Sequence, residues 1–283
     1  MKAGFIGTGS MGSLLIDALL SSGALQAADV LASNRSPQKL IRLAQRYPGL
    51  SLCSRNSETA AGSDLLFLCV KPLEFKALID EIGPVLRAEQ IVVSITSPVQ
   101  LHHLESVLPC KIAKIIPSIT HRVFSGASLC IFGSRLGEDD RRLLLKLFSH
   151  IGIPAEIHEE HTRIASDFSS CGPAFVSYFL ERWVEAAVRE TGIDERLAVR
   201  LAGEMLLGTG RLLTEGEFSP QELQERVAVP GGITAEALNH LRRSLDGVFE
   251  QLIETTQGKY EEDIAKLDRL FGRDSVIQEP LDR

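Results

Sequence analysis

Through the first half of the chain, short apolar runs alternate with amphipathic stretches. The runs are residues 3–6 (AGFI), 29–33 (DVLAS), 64–70 (DLLFLCV), 90–95 (QIVVSI) and 110–116 (CKIAKII). Alternation of this kind predicts βαβ units and a parallel sheet. The runs are apolar at nearly every position, as strands covered on both faces must be. Residues 125–133 (SGASLCIFG) and 154–158 (PAEIH) predict two further strands, with a helix rich in Leu and Arg over 138–150 between them. From His161 onward the periodicity is helical, with long apolar stretches at 171–191 and 194–213 and Asp194 as an N-cap. Those helices carry more apolar residues than one such domain can cover, which predicts that a second copy of the chain supplies part of the core. The polar tail after Phe271 (GRDSVIQEPLDR) is expected to be loosely ordered.

Glycines at 7, 9 and 12 sit where the first run gives way to helical spacing at Leu14, Leu15, Ala18 and Leu19. In that place the first glycine permits the tight turn, the second lets a pyrophosphate approach the backbone, and the third lets helix and strand pack closely. The helix N-terminus offers unpaired N–H groups to the phosphates. The fold is therefore α/β: an N-terminal Rossmann-like parallel-sheet domain over residues 1–160, then an all-helical dimerisation domain over 161–283. At the end of the second strand, an acidic residue would hold the ribose hydroxyls of NAD, but the chain reads ASNRSPQK. Ser33, Asn34, Arg35 and Ser36 suit the extra phosphate of NADP, so NADP(H) is the expected cofactor and NAD(H) the alternative. Ser36 also reads as an N-cap, with Pro37 opening the next helix.

Charge and cysteine content narrow the class. The 283 residues carry a formal net charge of −7 and no basic run, which speaks against a nucleic-acid surface. No apolar stretch approaches the ~18 residues of a membrane helix, and a cytoplasmic protein is expected. Five scattered cysteines without C-x-x-C spacing predict free thiols in a reducing compartment. The HEEH of His158 to His161 has the wrong spacing for two helical zinc ligands one turn apart, and no metal site is expected.

The glycine loop, SNRS and the CVKP of Cys69 to Pro72 together resemble the cofactor domain of pyrroline-5-carboxylate reductases. SSCGPAF (169–175) resembles that family's S-G-S-G-P-A-Y, and VPGGIT (229–234) its S-P-G-G-x-T. The resemblance implies reduction of the C=N bond of a cyclic imino acid with a hydride from NAD(P)H, in homodimers or rings of dimers. It implies that Gly7, Thr8, Gly9, Ser10 and Met11 hold the pyrophosphate. Asn34, Arg35 and Ser36 would take the adenosine phosphate, Asn56 the adenosine ribose side, and Val70, Lys71 and Pro72 the nicotinamide end. Ser169 and the loop of Gly231, Gly232 and Thr234 would face the substrate, with the Thr234 hydroxyl reaching the ring nitrogen and carboxylate. Lys71 can be read as a catalytic cation, but as a lysine following a central strand it reads better as a holder of the cofactor loop.

The substrate half departs from the pattern. IPSIT (116–120) stands where the family has M-P-N-T-P, Val229 where it has serine, and Ser170 and Cys171 where it has glycine and serine. An isopropyl group in place of a hydroxyl removes a hydrogen bond to a charged substrate, worth roughly 1–3 kcal/mol. These departures, with SITSPVQ (94–100) and KYEED (259–263), look most like the competence-operon branch of the family. Two readings follow: an NADP-dependent reductase of a cyclic imine, or a catalytically weak or inactive NADP-binding regulatory paralogue. A hydroxy-acid dehydrogenase would want a lysine on the helix opening the second domain, and residues 172–191 contain none.

Overall fold

The computed structural model describes residues 1–216 and 218–272; Glu217 and the tail from 273 to 283 lie outside the described residues. It divides into two compact units, residues 1–172 with 256 onward, and residues 173–255.

The first unit is built on an eight-stranded sheet. In chain order it contains β1 (Ala3–Ile6), α1 (Ser10–Ser21), β2 (Val30–Ser33), α2 (Pro37–Arg46), β3 (Ser51–Leu52), α3 (Asn56–Gly62), β4 (Leu65–Leu68), α4 (Phe75–Ile82), β5 (Ile91–Ser94), α5 (Leu101–Glu105), β6 (Lys111–Ile116), β7 (Ala127–Phe132), α6 (Glu138–Ser149), β8 (Ile153–Glu156) and α7 (Thr162–Ser166). The strand order is β3-β2-β1-β4-β5-β6-β7-β8. Strands β1 to β6 run parallel, while β7 pairs antiparallel with β6 and β8 follows β7. The parallel sheet expected from the first runs is present over β1 to β6, and the two further strands add one antiparallel pairing, β6 with β7, toward one edge. Residues 117–126 hold only the short 3-10 turn Ile119–Val123, too little chain for a parallel crossover. Phe124 and Gly126, at φ +54° and +85°, turn the backbone back.

Alternate strand residues feed two separate apolar layers. Phe5, Phe67, Val93 and Ile115 pack with Leu15 and Leu19 of α1, Leu40 and Leu43 of α2, and Leu144 and Phe148 of α6. Ile6, Leu66, Leu68, Val92 and Ile112 pack with Phe75, Leu78 and Ile82 of α4. The apolar runs have no polar face because each face has its own cover. Phe5 and Phe67 stack with centroids 4.6 Å apart across β1 and β4.

The second unit is helical: α8 (Gly172–Thr191), α9 (Glu195–Arg211), α10 (Pro220–Val227), α11 (Ile233–Ser244) and the first part of α12 (Val248–Leu270). Asp194 caps α9, its carboxylate accepting the Leu197 N–H at 2.9 Å. Only Val184 and Ala198 among the apolar residues of α8 and α9 are buried, each with 8% of its surface still exposed, and Trp183 is 66% exposed. From Thr256 on, α12 belongs to the first unit, where Leu267 joins the α4 layer. His103 takes the Gln100 N–H on Nδ1, so its Nε2–H donates to Asp268 at 2.8 Å and ties α5 to α12. A metal on His103 would have to displace that proton. Among the described residues, no helix is long and apolar enough to cross a membrane.

Candidate functional site

The loop from Gly7 to Gly12 is shaped by close backbone approach. Gly7 has φ +97°, and a Cβ on it would lie 2.5 Å from the Cys69 carbonyl oxygen. A methyl on Gly12 would overlap the Gly7 carbonyl oxygen, whereas one on Gly9 would meet nothing within 4 Å. The backbone at Gly9, the N-cap of α1, therefore faces open space, where an anion can reach the free N–H groups of the first turn. The Thr8 N–H donates to Asn34 Oδ1 at 2.9 Å, and Asn34 Nδ2–H donates to the Ser36 carbonyl at 3.1 Å. The Asn34 amide thereby locks the glycine loop to the β2–α2 turn. Thr8 itself is buried, Ser10 is exposed, and Met11 packs partly against the α1 layer.

A cleft of about 470 Å³ opens beside this loop at the C-terminal ends of β1, β2 and β4. It gathers Gly7, Gly9, Asn34, Arg35, Ser36, Asn56, Val70 and Lys71 of the residues expected from the sequence. Pro72 stands just beyond, opening the 3-10 turn Pro72–Glu74. The cleft also takes in Lys39, Glu74 and Glu81, which the sequence reading missed. Lys39 follows Ser36 by three residues on α2, a spacing that could have revealed it; the two glutamates carry no such mark. The Arg35 side chain is 93% exposed, with its guanidinium 3.4 Å from Glu74. Ser36 is the N-cap of α2, but its hydroxyl donates to Gln38 Oε1 rather than to the backbone. Burial pushes the Cys69 thiol at the cleft up to about 12, so it stays protonated and offers no nucleophile. The other four cysteines are free as well.

The substrate candidates fall in both units. Ser169 lies in the first, in a single π-helical turn, Asp167–Cys171. Its hydroxyl donates to the Ala165 carbonyl at 2.9 Å, and its own carbonyl accepts the Ser118 hydroxyl at 2.7 Å. The same turn holds a network unseen in the sequence. Arg163 donates to Asp167 at 2.9 Å and to Cys171 Sγ at 3.1 Å, while the Thr256 hydroxyl donates to the other Asp167 oxygen at 2.6 Å. In the second unit, Gly231 (φ +74°) and Gly232 turn the chain into α11, with the Gly232 N–H on the Val229 carbonyl. Thr234 stands half-buried in the first turn of α11, and Val229 is 62% exposed.

Residues 159–263 match the family model for pyrroline-5-carboxylate reductase dimerisation, and residues 2–98 that for NADP oxidoreductase, coenzyme F420-dependent. ComE operon protein 4 of Bacillus subtilis is 39% identical over 96% of this chain and 99% of its own length. Human pyrroline-5-carboxylate reductase 2 is 32% identical over 89% of this chain and 79% of its own. The fold is similar to that of Plasmodium falciparum pyrroline carboxylate reductase with NADP bound, at TM-score 0.80 and 24% identity over 96% of this chain and 98% of that one. With both relatives above 30% identity and matched over more than two thirds of their length, the chain belongs to the pyrroline-5-carboxylate reductase family.

Proposed function

We propose that the chain is a cytoplasmic, NADP(H)-dependent reductase of a cyclic imino acid, most readily pyrroline-5-carboxylate, giving proline. The observation that carries the reading is the open backbone at Gly9 beside a cleft to which the segment after β2 contributes Arg35, Ser36 and Lys39 and no acidic residue of its own. Of the expected loop residues, Gly9, Ser10 and Met11 hold the pyrophosphate through backbone N–H groups at the start of α1, while Gly7 and Thr8, whose N–H groups are on the Ser33 carbonyl and Asn34 Oδ1, shape the loop beside it. Arg35 and Ser36 take the 2′-phosphate, with Asn34 keeping their turn in register with the glycine loop. Asn56 faces the adenosine ribose, and Val70, Lys71 and Pro72 flank the chain of the cofactor toward its nicotinamide.

When bound, the nicotinamide supplies the hydride. A cyclic imine is basic enough to arrive protonated, so the protein orients it more than it acidifies it. The Thr234 hydroxyl, which has no partner among the described residues, holds the ring nitrogen and carboxylate, with the Gly231 and Gly232 backbone beside it. Ser169 borders the substrate. The apolar side chains exposed on α8 and α9 dock on a second copy of the chain, giving a homodimer or an oligomer of dimers.

Arg35→Asp tests the cofactor assignment. The parent is expected to bind NADPH at least ~10-fold more tightly than NADH, because a guanidinium–phosphate pair is charge-assisted, and the variant to lose that preference. Equal affinities in the parent would refute it.

Activity is tested by NADPH oxidation in the presence of pyrroline-5-carboxylate, beside an ordinary reductase of the family. Val229→Ser should lower KM about tenfold by regaining one hydrogen bond of ~1.4 kcal/mol, while Thr234→Ala should reduce turnover. The second reading, a regulatory paralogue that binds NADP without turnover, draws support from Val229, Cys171 and the similarity to ComE operon protein 4. Absence of oxidation in the parent and in a Val229→Ser, Cys171→Ser variant, with NADPH binding retained, would decide for it.

A further inference from the structure

Glu81 stands in the last turn of α4 with its side chain at the wall of the cleft. Its Oε2 accepts Asn56 Nδ2–H at 2.8 Å, and Asn56 Oδ1 accepts the hydroxyl of Ser33 at 2.9 Å. Ser33 is buried at the end of β2, so the relay starts from a fixed point. Only one orientation of the Asn56 amide serves both ends, since the flipped one would set its oxygen against the carboxylate. Glu81 is thus held in place, and its Oε1 has no partner among the described residues. Beside it the cleft wall is apolar, formed by Ala77, Leu78 and Val70. An oriented acceptor at the edge of an apolar wall fits a flat ring that carries an exocyclic N–H donor.

The placement of the cofactor proposed above, on which this inference rests, puts such a ring there. With the 2′-phosphate at Arg35 and Ser36, the base hangs from the adjoining sugar carbon and must share the cleft with the ribose. The part of the cleft left for it is bounded by Asn56, Ala77, Leu78 and Glu81. We propose that Glu81, positioned by Asn56, reads the exocyclic amino group of the adenine base and selects adenine over 6-oxopurine dinucleotides. A 6-oxo group would turn a carbonyl oxygen toward the carboxylate and leave both acceptors facing one another.

The test is a pair of dissociation constants, for NADPH and for its hypoxanthine analogue, measured by nucleotide fluorescence on the parent, Glu81→Gln and Glu81→Ala. The parent should favour NADPH by about tenfold, the worth of a hydrogen bond to a charged acceptor. Glu81→Gln, whose amide can turn its NH2 to a 6-oxo group, should bring the ratio within about threefold. Glu81→Ala should do likewise by weakening NADPH alone. Equal binding of both nucleotides by the parent overturns the inference. So does equal weakening of both in the variants, which would place the carboxylate on a sugar hydroxyl that the two share. A parent that binds neither nucleotide fails the cleft assignment itself, a result distinct from loss of base selectivity.

Discussion

Gly12→Ala is expected to abolish NADPH binding, with a loss of affinity of at least ~100-fold, about 2.7 kcal/mol, and to lower the thermal midpoint of the nucleotide-free protein. The added methyl would overlap the Gly7 carbonyl oxygen and press within 3.0 Å of Cys69 Cβ, both on the strand side of α1. Backbone cannot swing aside as a side chain can, so α1 must back away from β1 and β4. Overpacking of this kind costs about 1–3 kcal/mol in stability, and it scatters the N–H groups that face the pyrophosphate. Gly9→Ala separates the two effects. At Gly9 the backbone is extended (φ −70°, ψ −165°), and the methyl meets no protein atom within 4 Å. That variant should keep its thermal midpoint and still lose nucleotide affinity, because its methyl fills the space reserved for phosphate. Parent-like NADPH binding by Gly9→Ala would remove the pyrophosphate from this loop.

The strands of the sheet were legible wherever a continuous apolar run met the chain's own punctuation. Residues 3–6, 29–33, 64–70, 90–95, 110–116 and 125–133 each contain a strand of the structure, and 154–158 overlaps β8, which starts one residue earlier at Ile153. β3 was not, because two exposed residues at a sheet edge, Ser51 and Leu52, carry no hydrophobic pattern. The reversal of β7 is a property of connection length, which residues 117–126 contain but an apolar run does not display. Nothing in α12 announces that Thr256 to Leu270 belongs with the sheet unit. Its buried residues there are Tyr260 and Leu267, two apolar positions within a charged helix.

The cleft shows the same limit at the level of side chains. Glycines and the NRS turn are readable because their residue types answer to local backbone and charge requirements. Glu81 and Asn56 are 25 residues apart, and their pairing exists only once α3 and α4 lie side by side on the sheet. Asn34 was legible as a polar group near phosphate, yet its amide is committed to Thr8 and Ser36. The network of Arg163, Asp167, Cys171 and Thr256 depends on an 89-residue return of the chain and has no sequence signature at all.

A lysine inside a strand is the sharpest local conflict in the sequence, and it yields the prediction with the clearest pH signature. Lys114 is fully buried in β6, and its Nζ donates to Glu159 Oε1 at 2.9 Å. The same oxygen accepts the Leu101 N–H at 2.9 Å. Desolvation pulls the Lys114 pKa below the ordinary 10.5, and the charge of Glu159 pulls it part of the way back. Glu159→Gln keeps an oxygen for both donors and removes the compensating charge. It should destabilise the protein by about 3–5 kcal/mol at pH 7, the cost of leaving a buried ion unpaired. The sign of the pH dependence follows from the lowered pKa. Between the folded value and 10.5 the unfolded chain binds more protons than the native one, so stability rises with pH across that window. Loss of Glu159 lowers the folded value further and widens the window downward. The stability deficit of Glu159→Gln against the parent should therefore shrink as pH is raised from 7 toward 10, as read by denaturant midpoints. Adding Lys114→Met to that variant should restore much of the stability and remove the slope, because no buried ammonium remains to be neutralised. A deficit that is the same at every pH, or one that the second substitution leaves untouched, would show that Glu159 acts through its bond to Leu101 and not through Lys114.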